Sequence, residues 1–269
     1  MGKHETKAMF FDVDGTLVSF KTHRIPQSTV DALTEAHSRG VRIYISTGRP
    51  PQFITNLGQI GDVIDGWVTT NGANCYICRA GKKEIVHTAS IPTADTEHIL
   101  SYCHDRNVPV IIVGRKIIGV NDYDPKVAAL FCDGLGVTGI DFQRYTYADM
   151  HEDEIMQLTP FLTPEQEQEL MPLVSSCNSG RWCDAFTDIT AKGADKGIGL
   201  TAMAKHEGIN LSETMAFGDG GNDNSILRTA GIGIAMGNAN EKTKSIADFI
   251  TTCVDDDGIA NALRRFCVI

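Results

Sequence analysis

Ala8-Met9-Phe10-Phe11-Asp12-Val13-Asp14-Gly15-Thr16 runs from apolar residues into two acids and a glycine. Residues 8–13 follow the polar leader Met1 to Lys7 and stop short of Gly15, the pattern of a short strand buried in a parallel sheet. Downstream, Pro26 can open a helix with Val30, Leu33 and Ala36 on one face, and Gly40 can close it. Val41 to Ser46 and Trp67 to Thr70 are the next apolar strands. Strand, helix and strand in that rhythm predict a parallel α/β sheet.

The rhythm changes after Asn71-Gly72. From about residue 74 to 120 come the strand-like segments Cys75 to Cys78, Ile85 to Ala89, Val108 to Val113 and Lys116 to Val120, with a helix between Thr93 and Arg106. Pro125 to Leu135 and Pro164 to Leu173 read as further helices, and Ile155 to Phe161 as an extended segment between them. Near residue 187 the first rhythm returns. A helix from Asp195 to Glu207 leads to a strand at Met215 to Phe217, a helix through Leu227, a strand at Ile232 to Met236 and a last helix from Gly258. The expected fold class is therefore α/β. A doubly wound, mostly parallel, Rossmann-like core sheet is built from residues 1–79 and 188–269, with an α+β cap domain inserted over 80–187.

Composition agrees with this division. At about 150 residues per domain, a chain of 269 residues is comfortable for two. Apolar residues make up 42% and charged residues 22%, an ordinary globular balance. Lysine and arginine number 24 against 34 acids, a net charge of −10, and no basic run is long enough for a nucleic-acid patch. A small anion remains a suitable partner if a few cations are focused in one pocket. The leader has no apolar core of a secretory signal, and no stretch approaches the length of a membrane span. Gly2 with Thr6 has the spacing of a myristoylation signal, but an ordinary polar leader explains it better. The eight cysteines lack disulfide spacing, so they read as reduced cytoplasmic thiols; Cys75 and Cys78 form a single CxxC with no second pair to complete a zinc site.

In an open α/β sheet, ligands bind beyond the carboxyl ends of the strands. There the first strand presents Asp12 and Asp14, which, two apart, share a face so that both carboxylates can converge on one small volume. Two close carboxylates repel, and a hard cation is their natural compensation. A calcium loop would need a Glu where His23 stands. The second strand ends in Ser46-Thr47-Gly48-Arg49, whose hydroxyl, backbone amide and guanidinium suit a phosphate, although a helix cap at Thr47 is the plainer alternative. After Phe217 comes Gly218-Asp219-Gly220-Gly221-Asn222-Asp223, which offers metal oxygens, an amide donor and close backbone approach.

Together with Lys196, these segments resemble the haloacid dehalogenase superfamily, and within it the Cof-type sugar-phosphate phosphatases with a large α/β cap. The resemblance runs in the family's order from Asp12 to Asp223 and covers most of the chain. It implies a hydrolase of small phosphate esters in which Asp12 is the nucleophile that becomes an aspartyl-phosphate, and Asp14 is the general acid and then the base. It further implies Mg²⁺ on Asp12, the main-chain carbonyl of Asp14 and Asp219. Thr47, the amides of Val13 and Gly48, Arg49, Lys196 and Asn222 would bind the phosphate, with Asp223 orienting Lys196 or a metal-bound water. Lys192 also precedes a glycine. Lys196, however, falls in a helix's first turn, where a cation opposes the helix dipole and so asks for a functional reason.

The expected chain is cytoplasmic, a monomer or weak homo-oligomer, without nucleic-acid or membrane partners. A phosphomutase or phosphotransferase of the phosphomannomutase type is the alternative, because it shares the Asp-x-Asp-Gly-Thr opening; a phospho-accepting signalling module is a remote one, because such modules lack a cap. Gly231 to Gly237 brackets a strand and is no dinucleotide fingerprint, and Asp255 to Asp257 reads as helix-start charge. Arg181 and Trp182 read by default as a solvated arginine and a packed tryptophan near the return from the cap.

Overall fold

The computed structural model describes residues 5–79, 81–121, 143–144 and 147–269. The first elements are β1 (Ala8–Phe11), α1 (Gln27–Ser38), β2 (Arg42–Ser46), β3 (Gly66–Thr69), β4 (Asn74–Arg79) and β5 (Lys82–Thr88). Next come α2 (Thr93–Asp105), β6 (Val110–Gly114), β7 (Ile118–Val120), β8 (Gln143–Arg144), α3 (Tyr147–Glu152), β9 (Ile155–Pro160), α4 (Pro164–Leu170), β10 (Cys177–Cys183) and β11 (Phe186–Ala191). The chain finishes with α5 (Lys196–His206), β12 (Thr214–Gly218), α6 (Asn224–Thr229), β13 (Ile232–Ala235), α7 (Glu241–Ile246), β14 (Phe249–Ile250) and α8 (Gly258–Arg265).

Two compact units result: one from residues 1–88 and 195–269, the other from 89–194. The first holds an eight-stranded sheet in the order β14-β13-β12-β1-β2-β3-β4-β5. Its strands pair in parallel from β14 to β3, and β4 and β5 are antiparallel. This is the doubly wound α/β core, and the interruption after β5 is the cap-type insertion. Alternation along β1 explains why the sheet is covered on both faces. Met9 and Phe11 join the cluster containing Leu33, Ile43, Phe217 and Leu263, while Ala8 and Phe10 join Tyr44, Leu200 and Met203. Phe11 stacks on Phe217 at 4.7 Å and Phe10 on Tyr44 at 4.7 Å, which binds β1 to β12 on one side and to β2 on the other.

The second unit is a six-stranded sheet, β10-β11-β9-β6-β7-β8, antiparallel except for the β7–β8 pair. Its own core contains Ile99, Val110, Ile112, Leu158, Leu170 and Ile189. The units divide at 88/89 and 194/195, not at the expected 79/80 and 187/188. The physical reason is pairing. β4 lies antiparallel on β3, so the hairpin it makes with β5 extends the core sheet, while β11 pairs with β9 and β10 and stays with the insertion. The helix expected at Pro125 to Leu135 lies outside the described residues. Short elements without clear periodicity, α7 and β14, were not anticipated. Among the described residues no helix is long and apolar enough to cross a membrane.

The glycines of the Gly231 to Gly237 segment serve packing. A Cβ on Gly233 would lie 2.1 Å from the Leu227 carbonyl oxygen, a backbone atom that cannot swing aside. Gly233→Ala should therefore lower stability by about 1–3 kcal/mol, the usual range for an overpacked site. An unchanged unfolding midpoint in urea would contradict this reading.

Candidate active site

The candidate site lies where β1, β2, β3 and β12 end. β1 stops at Phe11, and the Asp12 amide adds a last ladder-like bond to the Phe217 carbonyl at 3.0 Å. Asp12 and Asp14 thus sit in a loop, and the expectation that they share a strand face is corrected: each acid has its own cation. Lys196 Nζ donates to Asp12 Oδ1 at 2.7 Å. Arg49 grips Asp14 with two bonds, Nε to Oδ2 at 2.7 Å and Nη2 to Oδ1 at 2.6 Å. Its Nη1 donates to the Phe53 carbonyl at 3.0 Å, so the guanidinium expected on phosphate is committed to protein acceptors.

Gly15, at φ +83°, makes the turn that brings the fourth strand end close: a Cβ there would stand 2.3 Å from Asp219 Oδ2. Thr16 Oγ1 donates to the other Asp219 oxygen at 2.9 Å. Asp223 organises the same loop. Its Oδ2 accepts from the amides of Asp219 at 3.0 Å and Gly220 at 2.9 Å, and its Oδ1 accepts from Lys196 at 2.6 Å.

Lys196 opens α5 behind an Asp195 cap, whose carboxylate accepts from the Gly197 and Ile198 amides. The cap fixes where the helix begins, and so where the lysine projects. Lys192 sits after β11 in the second unit and shares none of these contacts. Burial alone would lower the basicity of Lys196, but Asp12 and Asp223 more than reverse that and hold its ammonium charged. Burial pushes the Asp12 carboxyl well above the usual carboxylate range; the Asp223 charge adds to this and Lys196 opposes it. Burial and then Asp223 push Asp219 up to about 7, against the Thr16 hydrogen bond.

Asp12, Asp219 and Asp223 each bring a carboxylate oxygen within 4.8 Å of the others. Three acids around one ammonium leave negative charge unbalanced. An all-oxygen donor set of that charge fits a hard divalent cation. Asp12 and Asp219 are the better ligands, since both oxygens of Asp223 are already bonded to Lys196 and to backbone amides.

The remaining expected residues are placed as follows. Thr47 is buried and its Oγ1 accepts from the Arg49 amide at 3.1 Å, a local turn in place of a helix cap. The Val13 side chain packs in the core, which leaves only its main chain open to a ligand. A Cβ on Gly48 would meet Asn71 Oδ1 at 3.1 Å and Asn222 Nδ2 at 3.5 Å, which brings Asn222 to the Thr47 loop. Arg181 is not a solvated arginine: it is ion-paired with Glu167 in the second unit, and the Trp182 side chain lies outside the described residues. Two site residues were missed. Asn71 follows β3, and Asn238, after β13, donates to the Gly15 carbonyl at 2.8 Å. Both occupy strand ends, the signal that located the others.

The family described as haloacid dehalogenase-like hydrolase matches residues 9–263. The chain belongs to the haloacid dehalogenase-like hydrolases. The solved HAD subclass IIB sugar phosphatase BT4131 is 44% identical, with a TM-score of 0.88 over 98% of this chain and 100% of that one. BT1666, a phosphatase of the same superfamily from Bacteroides thetaiotaomicron, is 35% identical, with a TM-score of 0.86 over 100% of this chain and 97% of that one. The 5-amino-6-(5-phospho-D-ribitylamino)uracil phosphatase YcsE of Bacillus subtilis (strain 168) is 25% identical over 97% of this chain and 96% of its own length. Within the haloacid dehalogenase-like hydrolases this chain is a phosphatase, and a phosphatase acts on a phosphate ester.

The raised Asp219 has a consequence for the metal-free chain. A carboxyl whose folded value exceeds its unfolded value of about 4 contributes stability that is full below that value and is lost as pH climbs through about 7. In excess chelator at pH 8, Asp219→Asn should then stabilise the chain by about 1 kcal/mol. At pH 5, where the native acid is largely protonated, the gain should shrink. Denaturant unfolding at the two pH values checks both; a loss of stability at pH 8 would refute the account of a strained acid.

Proposed function

We propose that the chain is a Mg²⁺-dependent phosphomonoester hydrolase of small phosphorylated metabolites, sugar phosphates above all, working through an aspartyl-phosphate on Asp12. The observation that carries this reading is the 2.7 Å bond from the buried Lys196 to Asp12 at the end of β1, beside the end of β12 that carries Asp219. A carboxylate fixed by one oxygen and backed by a cation is oriented to attack, and the same cation attracts an incoming phosphoryl group.

In the first step an Asp12 oxygen bonds to phosphorus, the P–O bond to the sugar breaks, and Asp14 gives its proton to the departing alkoxide. In the second, Asp14 takes a proton from water, the hydroxide bonds to phosphorus, and the acyl-phosphate bond breaks to return Asp12 and inorganic phosphate. Arg49 orients Asp14 for both transfers. Thr47, the amides of Val13 and Gly48, Lys196 and Asn222 bind the phosphoryl oxygens. Magnesium held by Asp12, Asp219 and the Asp14 carbonyl supplies charge stabilisation of the phosphoryl oxygens when bound.

The sugar-phosphatase description of BT4131 supports the substrate class. We read the unit 89–194 as the part that selects the leaving group, because every residue assigned to the chemistry belongs to the other unit. The free described cysteines suit a reducing, cytoplasmic setting.

Asp12→Asn should abolish release of phosphate from an aryl phosphate while the fold persists, and excess chelator should do the same to the unaltered chain. Turnover surviving either treatment would dismiss the reading. Asp14→Asn should cost about 10² to 10⁴ in single-turnover phosphorylation by alkyl phosphates, and much less with aryl phosphates, whose leaving groups need no proton. Equal losses on both would remove the acid role.

A further inference from the structure

β3 ends in a turn with unusual backbone. Thr70, Asn71 and Gly72 stand at φ 53°, 52° and 93°, three consecutive residues in the left-handed region. For residues other than glycine this conformation costs about 1–2 kcal/mol each, and a β-branched threonine rarely adopts it. Such strain persists where surrounding contacts over-determine it, and those contacts are identifiable here. The Thr70 amide donates to the Arg49 carbonyl at 3.1 Å and the Asn71 amide to the Thr47 carbonyl at 3.0 Å. At Gly72 a Cβ would stand 2.3 Å from the Asp195 carbonyl oxygen, so the turn is pressed against the cap of the helix that carries Lys196. The Asn71 side chain reaches the fourth strand end, where its Oδ1 accepts from Asn222 Nδ2 at 3.1 Å.

We propose that Asn71 is a positioning residue that acts through Asn222; this rests on Asn222 being a phosphate donor. A carboxamide is nearly symmetric in shape, and an exposed asparagine such as Asn222 can turn either its oxygen or its nitrogen toward a ligand. An oxygen aimed at a phosphoryl group repels it. With its oxygen as the acceptor, Asn71 holds the rotamer in which Asn222 Nδ2 faces the Thr47–Gly48 loop. One N–H is used on Asn71, and the second remains for a phosphoryl oxygen. The left-handed turn makes this possible, since its backbone is tied to Thr47 while its side chain spans to Asn222. Two loops far apart in sequence thereby present their donors as one set.

A double-mutant cycle tests this in the full chain with Mg²⁺ present, reading kcat/KM for an aryl phosphate and inhibition by inorganic phosphate. Asn71→Gly removes the carboxamide and keeps the residue best suited to positive φ. Asn222→Ala and Asn71→Gly should each lower kcat/KM by about tenfold or more, with matching losses of phosphate inhibition. In the Asn71→Gly background, adding Asn222→Ala should change the rate by less than about twofold, because the oriented donor is already lost. Asn71→Asp keeps an oxygen acceptor and tolerates the same turn. In that background Asn222→Ala should again cost about tenfold or more, and this arm stands even if the glycine variant does not fold. Additive losses, a harmless Asn71→Gly, or an Asn71→Asp background in which Asn222→Ala is silent would overturn the proposal. A harmless Asn222→Ala in the unaltered chain would overturn it differently, by removing the phosphate role of Asn222 itself.

Discussion

An ammonium group sealed from water between two carboxylates is the constraint on which this molecule turns. Lys196 is 1% exposed, and an isolated charge so placed would cost several kcal/mol in lost hydration. Asp12 and Asp223 offset that cost only if all three groups are held at hydrogen-bonding distance. They come from the end of β1, the start of α5 and the loop after β12, so the pairing forces the two halves of the interrupted core to meet in one register. The stacked rings of Phe11 and Phe217 immediately precede Asp12 and Gly218 in the chain, and tie together the strands that present Asp12 and the Gly218 to Asp223 loop. Packing and electrostatics therefore select the same arrangement.

The acids are divided between two cations. Lys196 serves Asp12, and Arg49 serves Asp14, and the division suits different tasks. An ammonium is a compact charge that can be shared with an arriving anion, whereas a guanidinium fork fixes a carboxylate in plane and direction. Under the proposed mechanism Asp14, as the proton-transfer group, would gain from fixed direction, and Asp12, as the nucleophile, from a neighbour that also attracts its target. Asn238 and Thr16 complete the support by bracing the Gly15 turn and Asp219.

Much of this was legible in the chain of residues. Apolar runs ending in Asp, Thr-Gly or Gly-Asp marked three of the strand ends, because burial dictates the run and chemistry interrupts it. Lys196 stood out over Lys192 through a local conflict, a cation at the positive end of a helix. Other features were hidden for physical reasons. β5 looked like part of the insertion because antiparallel pairing with β4 leaves no periodic trace that distinguishes it from a strand of a separate sheet. The partner of Asp14 is set by side-chain direction in a loop, which strand periodicity does not govern. Asn71-Gly72 reads as turn punctuation, and nothing in the dipeptide says that its side chain reaches Asn222 across the sheet.

The eight-stranded sheet has two open rims, β14 and β5. A rim strand carries a row of unsatisfied amides and carbonyls, and a second copy can add to it as one more strand. One rim here, β14, is only Phe249–Ile250, too short to template a long pairing. The other, β5, begins Lys82-Lys83-Glu84 with those side chains exposed, so an added strand would have to accept charge over that first stretch. Brevity on one side and charge at the start of the other leave this sheet, among the described residues, poorly suited to adding a strand from a second copy.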